Sequence, residues 1–195
     1  MDPKTRWDSV FSEGKDFTTF NDIFIDRLLL PKLDKKPNPV LLDIGCGTGD
    51  VLKKMLARGY AAFGVDVSSV AVEAARRRTG LSDTEVVSGD IEQGILMRFR
   101  GESFDLIIIK LVIAFVSDKQ KMLESAKELL SPTGKVLIIT PLVYDNIEYS
   151  NPRTKNIAVN EKEFSPLLAS VFKHIEMIHQ DFLDDNGVLG YYLCS

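Results

Sequence analysis

Residues 40–50 read VLLDIGCGTGD, an apolar run that ends in an acid and continues through three glycines at alternate positions. This order predicts a β-strand, a tight turn and the beginning of a helix. Gly45, Gly47 and Gly49 lack a Cβ, so the backbone can turn sharply there and a ligand can lie directly against the main chain. Asp43 stands at the entrance to the turn, where its carboxylate can meet a cation or a hydroxyl group.

Three more apolar segments follow along the chain, and each is predicted to be a strand: residues 61–66, 86–90 and 104–109. The first two end in an acid, Asp66 and Asp90, and the third is followed by Lys110. In an open parallel sheet, ligands bind beyond the carboxyl ends of the strands. We therefore expect Asp43, Asp66 and Asp90 to lie together at one site.

This succession of motifs resembles the class I S-adenosylmethionine-dependent methyltransferases. The segment 43–49 is similar to the glycine motif of that family, Asp66 to its ribose-binding acid, and Gly89 with Asp90 to its adenine-side acid. The resemblance implies an α/β, Rossmann-like fold with helices on both faces of a mostly parallel seven-stranded sheet, whose last strand is antiparallel. It covers residues 40–195.

The resemblance also implies a cofactor, S-adenosyl-L-methionine, and a role for each site residue. Asp43 would receive the cofactor's amino group, directly or through water, and Asp66 would accept both ribose hydroxyls, because a carboxylate offers two anionic acceptors. Asp90 would accept the adenine amino group, while Val67 and Ile91 flank the ring. The expected cofactor-binding residues are Asp43, Gly45, Cys46, Gly47, Gly49, Asp66, Val67, Asp90, Ile91 and Lys110.

The implied reaction is an SN2 transfer of a methyl group to a nucleophilic atom of a small-molecule acceptor. Sulfonium is already an activated leaving group, so the protein contributes alignment and desolvation. A general base is needed only if the acceptor keeps its proton at neutral pH, and the sequence identifies no catalytic residue. Tyr144 and Tyr149 follow the fifth predicted strand, where they either line the acceptor pocket or are ordinary loop aromatics.

The start of the chain carries a second, shorter resemblance. Residues 7–14 follow a W-x-x-x-[YF]-x-x-G pattern, similar to small-molecule methyltransferases related to the thiopurine and tellurite-detoxifying enzymes. In those enzymes the leading arm folds over the cofactor. The resemblance implies that Trp7, Phe11 or Phe17 covers the sulfonium by a cation–π contact. The alternative is that Trp7 is a packing residue.

Length and composition predict one soluble globular domain. The chain has 195 residues, of which 45% are hydrophobic and 27% charged, enough for a single core. We expect an N-terminal arm and helix in residues 1–38 and a cofactor-binding core in residues 39–195. The net charge of −4 does not favour contact with a nucleic-acid backbone. No apolar run approaches the length of a membrane span.

Cysteine usage predicts neither a metal site nor a disulfide framework. The chain contains two cysteines, Cys46 and Cys194, far apart and without metal-ligand spacing. A reducing, cytoplasmic setting is the simplest interpretation. The loop at residues 141–160 is short for a lid, so the acceptor pocket is either open or completed by a second subunit, as in a homodimer.

Helical and strand periodicities alternate along the core. Helices are expected at residues 17–30, 51–58, 69–78 and 118–130, and a fifth strand at residues 135–140. This alternation favours a parallel sheet with right-handed crossovers. A last helix would begin at Asn160, with Glu163 completing a capping box, or at Ser165. Two final strands, 173–179 and 188–194, flank residues 184–187, whose Asn-Gly is a hairpin signal.

Several alternatives remain open from the sequence. The glycines could simply turn the chain, Asp66 could cap the second crossover helix, and Asp90 could be a turn residue. A nicotinamide-dependent oxidoreductase would carry G-x-G-x-x-G, but Asp50 stands where its third glycine belongs. A non-catalytic methyltransferase-like binding partner would tend to lose the glycine turn and the acids that this chain keeps.

Overall fold

A sheet of eight strands organises the computed structural model, which describes residues 2–17, 20–145, 147–149, 154–182 and 187–195. The strands are β1 (Val40–Ile44), β2 (Ala61–Asp66), β3 (Val86–Ser88), β4 (Phe104–Lys110), β5 (Leu130–Val143), β6 (Val159–Asn160), β7 (Ile175–Phe182) and β8 (Val188–Cys194). The main path runs β3-β2-β1-β4-β5-β8-β7, and β6 pairs with the end of β5.

The strand directions confirm the expected fold class. Strands β1 to β5 pair in parallel, and β8 is antiparallel to both of its neighbours, β5 and β7. The seven strands of the main path are those that the sequence predicts, and the two-residue β6 is an addition. Residues 184–186 of the expected turn, including Asn186 of the Asn-Gly signal, lie outside the described residues, but the two strands that the turn would join are paired as expected.

Helices cover both faces of this sheet. Within the described residues they are α1 (Pro3–Ser12), α2 (Asp22–Phe24), α3 (Asp50–Leu56), α4 (Ser69–Thr79), α5 (Lys119–Glu128), α6 (Thr154–Ile157) and α7 (Glu161–Val171). Residues of α3, α4 and the segment after α2 enter one buried cluster, whereas α5 and α7 enter the other. The strand β4 contributes to both, because its side chains alternate: Leu106 and Ile108 face the first cluster, and Ile107 and Ile109 the second.

The beginning of the chain differs most from the prediction. Helix α2 continues through a π turn (Ile25–Leu29) and a 3-10 turn (Leu30–Lys32), so the leading helix occupies residues 22–32 rather than 17–30. It begins later because Asn21 caps it, accepting the Phe24 N–H at 2.7 Å. Helix α1 was not predicted. Its signal in the sequence is Asp2-Pro3, an N-cap followed by a proline at the first helical position.

Later helix boundaries follow their capping residues. Ser68 caps α4 by accepting the Ala71 N–H at 3.2 Å, and Asp118 caps α5. Asn160 caps α7 through the Lys162 N–H, so the alternative beginning at Ser165 is wrong. Pro166 lies inside α7. The fifth strand also extends beyond the predicted residues 135–140 at both ends.

The basic run at the end of α4 is largely engaged within the chain. The Arg76 guanidinium donates to the carbonyl of Val86 on β3, at 2.6 Å from Nη2 and 3.0 Å from Nε. Arg78 donates to Asp16 at 2.8 Å. These cations also lie in the last turn of their helix, where its dipole favours positive charge.

None of the helices in the described part of the chain combines the length and the apolar character needed to cross a membrane.

Candidate functional site

A cavity of about 570 Å³ lies at the carboxyl ends of β1, β2 and β4 and beneath α1. Its volume is in the range of small-molecule and cofactor sites. The strand ends contribute the floor, and α1 with the following residues contributes the cover. Its position is where parallel sheets present ligand sites.

Most of the expected cofactor-binding residues meet at this cavity. Those that line it are Gly45, Cys46, Gly47, Asp66, Val67, Asp90, Ile91 and Lys110. Asp43 and Gly49 do not line it. Gly49 is the N-cap of α3, with φ +83°, and a Cβ there would lie 3.0 Å from Cα of Ala75 in α4. The close packing of two helices, rather than contact with a ligand, therefore accounts for glycine at this position.

The glycine turn is fastened to the end of the neighbouring strand. The N–H groups of Gly45 and Cys46 both donate to the Val65 carbonyl, at 2.7 and 3.0 Å. Gly45 has φ +76°, and a Cβ on it would lie 2.1 Å from Cγ2 of Val112. The turn thus needs glycine for its conformation and for the approach of the chain after β4.

Asp66 joins the glycine turn to the beginning of α4. Its two oxygens accept the N–H groups of Gly47 and Ser68, each at 2.9 Å. Burial raises the pKa of Asp66, and the two hydrogen bonds act against that rise. A carboxylate offers about four lone-pair positions, so acceptor capacity remains for a ligand. The N-cap of α4 is Ser68 and not Asp66.

Asp43 is the most unusual group of the site. It is 1% exposed, and neither carboxylate oxygen has a hydrogen-bond partner in the described chain. Burial raises its pKa to about 7, Asp66 and Asp50 add to the rise, and the Lys110 charge opposes it. An unpaired carboxylate in a buried position is costly. Asp43 therefore lacks a hydrogen-bond donor among the described residues, although the charge of Lys110 acts on it.

We expect the pKa of Asp43 to make the ligand-free protein less stable as the pH rises. Its folded-state pKa, about 7, lies above the ordinary value of 3.8 for an aspartate, so its contribution to stability is complete below pH about 4 and disappears as the pH rises through about 7. We therefore expect the difference between the melting temperature of Asp43→Asn and that of the wild type to shift in favour of the variant as the pH rises. Circular dichroism between pH 4 and 8 measures both temperatures. A difference in melting temperature between Asp43→Asn and the wild type that stays constant over this pH range would contradict the assignment.

Asp90 and its neighbours form the far end of the cavity. Asp90 caps the 3-10 turn Ile91–Gln93 and accepts the Glu92 N–H at 2.9 Å. Glu92, which the sequence analysis did not identify, also lines the cavity. Its carboxylate accepts the N–H groups of Ser117 and Asp118, at 2.9 and 3.2 Å. These bonds connect the segments after β3 and β4 on this side of the site.

Aromatic side chains from the N-terminal arm cover the cavity. Trp7 contacts Phe115 edge-on, with ring centroids 5.2 Å apart, and lies 6.1 Å from Phe11 and 6.3 Å from Phe17. All four rings line the cavity. We call these four residues the aromatic cover. Trp7 is therefore both a packing residue and part of a cover, and the two interpretations are compatible.

Hydrogen bonds connect the N-terminal arm to the glycine turn and to α4. Asp8 on α1 accepts the Ser68 hydroxyl at 2.6 Å and the Val70 N–H at 3.3 Å. Asp16 accepts the Thr48 hydroxyl at 2.7 Å and the Arg78 guanidinium at 2.8 Å. Both acids thus hold the arm on the glycine turn and on α4.

The segment after β5 contributes fewer residues to the cavity than the sequence suggested. Pro141 and Ile157 line the cavity, whereas Tyr144 and Tyr149 do not. The Tyr144 N–H donates to the Tyr149 hydroxyl at 2.7 Å, so the two tyrosines stabilise the loop itself. Residues 150–153 lie outside the described part of the chain.

The chain is similar to known methyltransferases. Residues 35–183 match a family model described as a methyltransferase domain. A ubiquinone/menaquinone biosynthesis C-methyltransferase of Geotalea daltonii is 30% identical over 134 residues, covering 65% of this chain and 52% of that protein. The nocamycin O-methyltransferase of Saccharothrix syringae is 32% identical over 126 residues, covering 60% and 43%. The chain spans about half the length of the curated relatives it matches.

Solved structures show the same fold at low sequence identity. A TehB-like methyltransferase from Corynebacterium glutamicum superimposes with a TM-score of 0.59 at 17% identity, covering 98% of this chain and 95% of that one. A phosphoethanolamine N-methyltransferase of Haemonchus contortus, solved with S-adenosylhomocysteine, gives a TM-score of 0.66 at 17% identity, covering 86% and 51%.

Proposed function

The chain belongs to the methyltransferase-domain family, and from this premise we propose that it transfers a methyl group from S-adenosylmethionine to a small-molecule acceptor. The observation that carries the proposal is the cavity at the glycine turn, which is lined by the acids Asp50, Asp66 and Asp90, with Asp43 buried and unpaired in the strand that leads into the turn. The cofactor of the family fits an acidic site, because its amino group and its sulfonium are both cationic.

The residues present fit this cofactor. Asp66 keeps acceptor capacity for two ribose hydroxyls, and Asp90 lies beside Val67 and Ile91, as an adenine pocket requires. The bare backbone at Gly47 leaves room for the ligand, since a Cβ there would meet no atom closer than the Phe11 ring at 3.5 Å. When bound, the cofactor supplies an activated methyl group. The protein orients it and excludes water with the aromatic cover.

The charges of the site do not favour a dinucleotide. A pyrophosphate at the glycine turn would lie close to Asp43, Asp50 and Asp66, of which Asp43 and Asp66 are buried. Like charges at such distances repel strongly in a desolvated site. This supports the methyltransferase proposal over a nicotinamide-dependent oxidoreductase.

Ligand-dependent thermal stability tests the proposal. A ligand that binds only the folded state raises the melting temperature in proportion to its affinity and concentration. We expect S-adenosylmethionine and S-adenosylhomocysteine to raise the melting temperature of the wild type and NAD to leave it unchanged. A wild type that responds to neither sulfur compound would refute the proposed function.

The cavity offers no obvious general base within the described residues. Its acids already accept hydrogen bonds from the protein: Asp16, Asp50, Asp66, Asp90 and Glu92. Burial raises the pKa of the Cys46 thiol, which therefore stays protonated. We infer that the acceptor arrives with its reacting atom already unprotonated.

The pH dependence of turnover should consequently follow the acceptor and not the protein. With isotopically labelled cofactor and a series of aryl thiols, phenols and amines of graded pKa, we expect the midpoint of kcat/KM against pH to move with the pKa of each acceptor. Mass spectrometry of the labelled product measures each rate. A midpoint that stays fixed across the series would instead reveal a base supplied by the protein.

We also propose a cytoplasmic location and retain the homodimer as a prediction. The two cysteines are free and buried, which fits a reducing compartment. The net charge of −4 supports a small acceptor over a nucleic acid. Light scattering of the purified protein would determine its oligomeric state.

A further inference from the structure

Arg6 of α1 brings a cation into the cavity. We propose that Arg6 binds an anionic group of the methyl acceptor, so that the preferred acceptors are small aromatic or apolar molecules that carry a carboxylate. This inference rests on the proposed function, because it assigns a chemical class to the acceptor of that reaction.

The rotation of α1 about its own axis turns Arg6 toward the cavity. The residues of α1 that line the cavity recur every three or four positions, as one face of a helix does: Pro3, Arg6, Trp7, Val10 and Phe11. Asp8 lies on the adjoining face, where it accepts the Ser68 hydroxyl at 2.6 Å. This contact with α4 fixes which face of α1 looks into the cavity.

The rings of two residues of the aromatic cover hold the guanidinium group. The Cζ atom of Arg6 lies 5.6 Å from the centre of the Trp7 ring and 5.4 Å from that of the Phe115 ring. Both distances are within the range of cation–π contacts. Such contacts attract the positive charge of a guanidinium and leave its N–H groups free to donate to another molecule.

The N–H donors of Arg6 have no acceptor among the described residues, since its side chain forms neither a hydrogen bond nor an ion pair with them. The other cations that line the cavity are engaged: Lys15 pairs with Glu13 at 3.0 Å, and Lys110 donates to the Phe17 carbonyl. The acids that line it have partners of their own: Asp16, Asp50, Asp66, Asp90 and Glu92. Arg6 is thus the lining cation whose donors remain available to a ligand.

Arg6 lies on the side of the cavity formed by the segments after β4 and β5. Phe115, its ring partner, belongs to the 3-10 turn after β4, which packs against α6, and α6 contributes Ile157 to the cavity. About one helical turn further along α1, Phe11 lies next to the glycine turn, since a Cβ on Gly47 would be 3.5 Å from its ring. The proposed cofactor occupies the glycine turn, so Arg6 faces the acceptor.

The chemistry of this side fits an anion with an apolar body. The guanidinium fork matches the two oxygens of a carboxylate. The walls around it are largely apolar, with Val112, Val116 and Ile157 among them. The acids at the floor repel an anion. An acceptor whose carboxylate is bound at Arg6 therefore points its opposite end, which carries the nucleophilic atom, toward the glycine turn.

Calorimetric titration of the protein saturated with S-adenosylhomocysteine tests this assignment. The probes are hydroxy-, mercapto- and aminobenzoates, each compared with its neutral carboxamide. In the wild type we expect the carboxylates to bind about tenfold more tightly, the factor that a charge-assisted hydrogen bond can supply. Arg6→Met should lose this preference. Arg6→Lys, which keeps the charge but not the fork, should retain part of it.

Arg27→Met provides the matched control, because Arg27 is exposed on the leading helix and is not among the described residues that line the cavity. It removes the same charge and should keep the full preference for carboxylates. A wild type that binds each benzoate no more tightly than its carboxamide would overturn the inference, and so would an undiminished preference in Arg6→Met. Both results leave the proposed function standing.

The same titrations separate the acceptor from the cofactor, which also carries a carboxylate. If Arg6→Met weakens the binding of S-adenosylhomocysteine itself by about tenfold, Arg6 binds the cofactor and the inference is wrong. If the wild type shows no rise in melting temperature with S-adenosylhomocysteine, the proposed function fails and the assignment of Arg6 to its acceptor fails with it.

Discussion

Asp66→Ala will abolish the rise in melting temperature that S-adenosylhomocysteine gives the wild-type protein. The carboxylate is the group at the end of β2 that both fixes the glycine turn and keeps acceptor capacity for the ligand. Loss of two hydrogen bonds from ribose hydroxyls to a charged acceptor costs about 3–6 kcal/mol of binding free energy. That cost corresponds to an affinity at least about a hundredfold lower. Calorimetric titration of the folded variant measures it directly.

Two further variants separate binding from folding in this experiment. Asp105 is a carboxylate of the same kind at the other end of the sheet, where it accepts the Val40 N–H at 2.9 Å and the Ser131 hydroxyl at 2.8 Å. Asp105→Ala should lower the melting temperature and still respond to the ligand. Asp66→Asn should bind more weakly than the wild type, because an amide has only one acceptor oxygen. A full ligand response in Asp66→Ala would contradict the proposed role of Asp66.

The second large effect is expected for Gly45→Ala. The new Cβ would lie 2.1 Å from Cγ2 of Val112, and an alanine would have to keep φ near +76°. Overpacking costs about 1–3 kcal/mol, and the backbone conformation adds about 1–3 kcal/mol. We expect a loss of about 2 kcal/mol or more in the free energy of unfolding, together with loss of the ligand response, as measured by chemical denaturation and thermal shift.

The chain offers a control for each component of this effect. Gly59 has φ +83° with no atom within 4 Å of its added Cβ, so Gly59→Ala carries the conformational cost alone. Val112→Ala removes the clashing methyl group, and the double variant with Gly45→Ala should recover part of the lost stability relative to the two single changes. If Gly45→Ala and Gly59→Ala prove equally stable, the close approach of Val112 to the turn is not what requires glycine.

The central sheet and the strand-end acids were predictable because their signals are local. The apolar runs before Asp66 and Asp90 identify two strands, and the rule that parallel strands present ligands at one edge brings the two acids together. The prediction placed the end of the third strand at Asp90, whereas β3 ends at Ser88 and Asp90 caps the following 3-10 turn. The sequence offered Ser68 and Ser69 as caps of α4, and the structure uses Ser68. These features depend on a few neighbouring residues, so one sequence is enough to show them.

Other features of the site depend on contacts between distant parts of the chain. Gly49 and Gly45 belong to the same sequence pattern, but they have different neighbours. Gly49 lies against α4, Gly45 lies against the chain after β4, and neither position has room for a Cβ. Glu92 and Asp16 join the site through partners that no spacing reveals. That Asp43 lacks a partner could be known only once its surroundings were assembled.

The hydrogen bonds from Arg76 to β3 limit how further strands can be added to this sheet. Strand β3 lies at one end of the sheet, and a foreign strand joining it would have to bond to outward carbonyl groups such as that of Val86. The Arg76 guanidinium already occupies that acceptor. Intermolecular extension of the sheet at β3, whether into an ordered assembly or an aggregate, is therefore disfavoured.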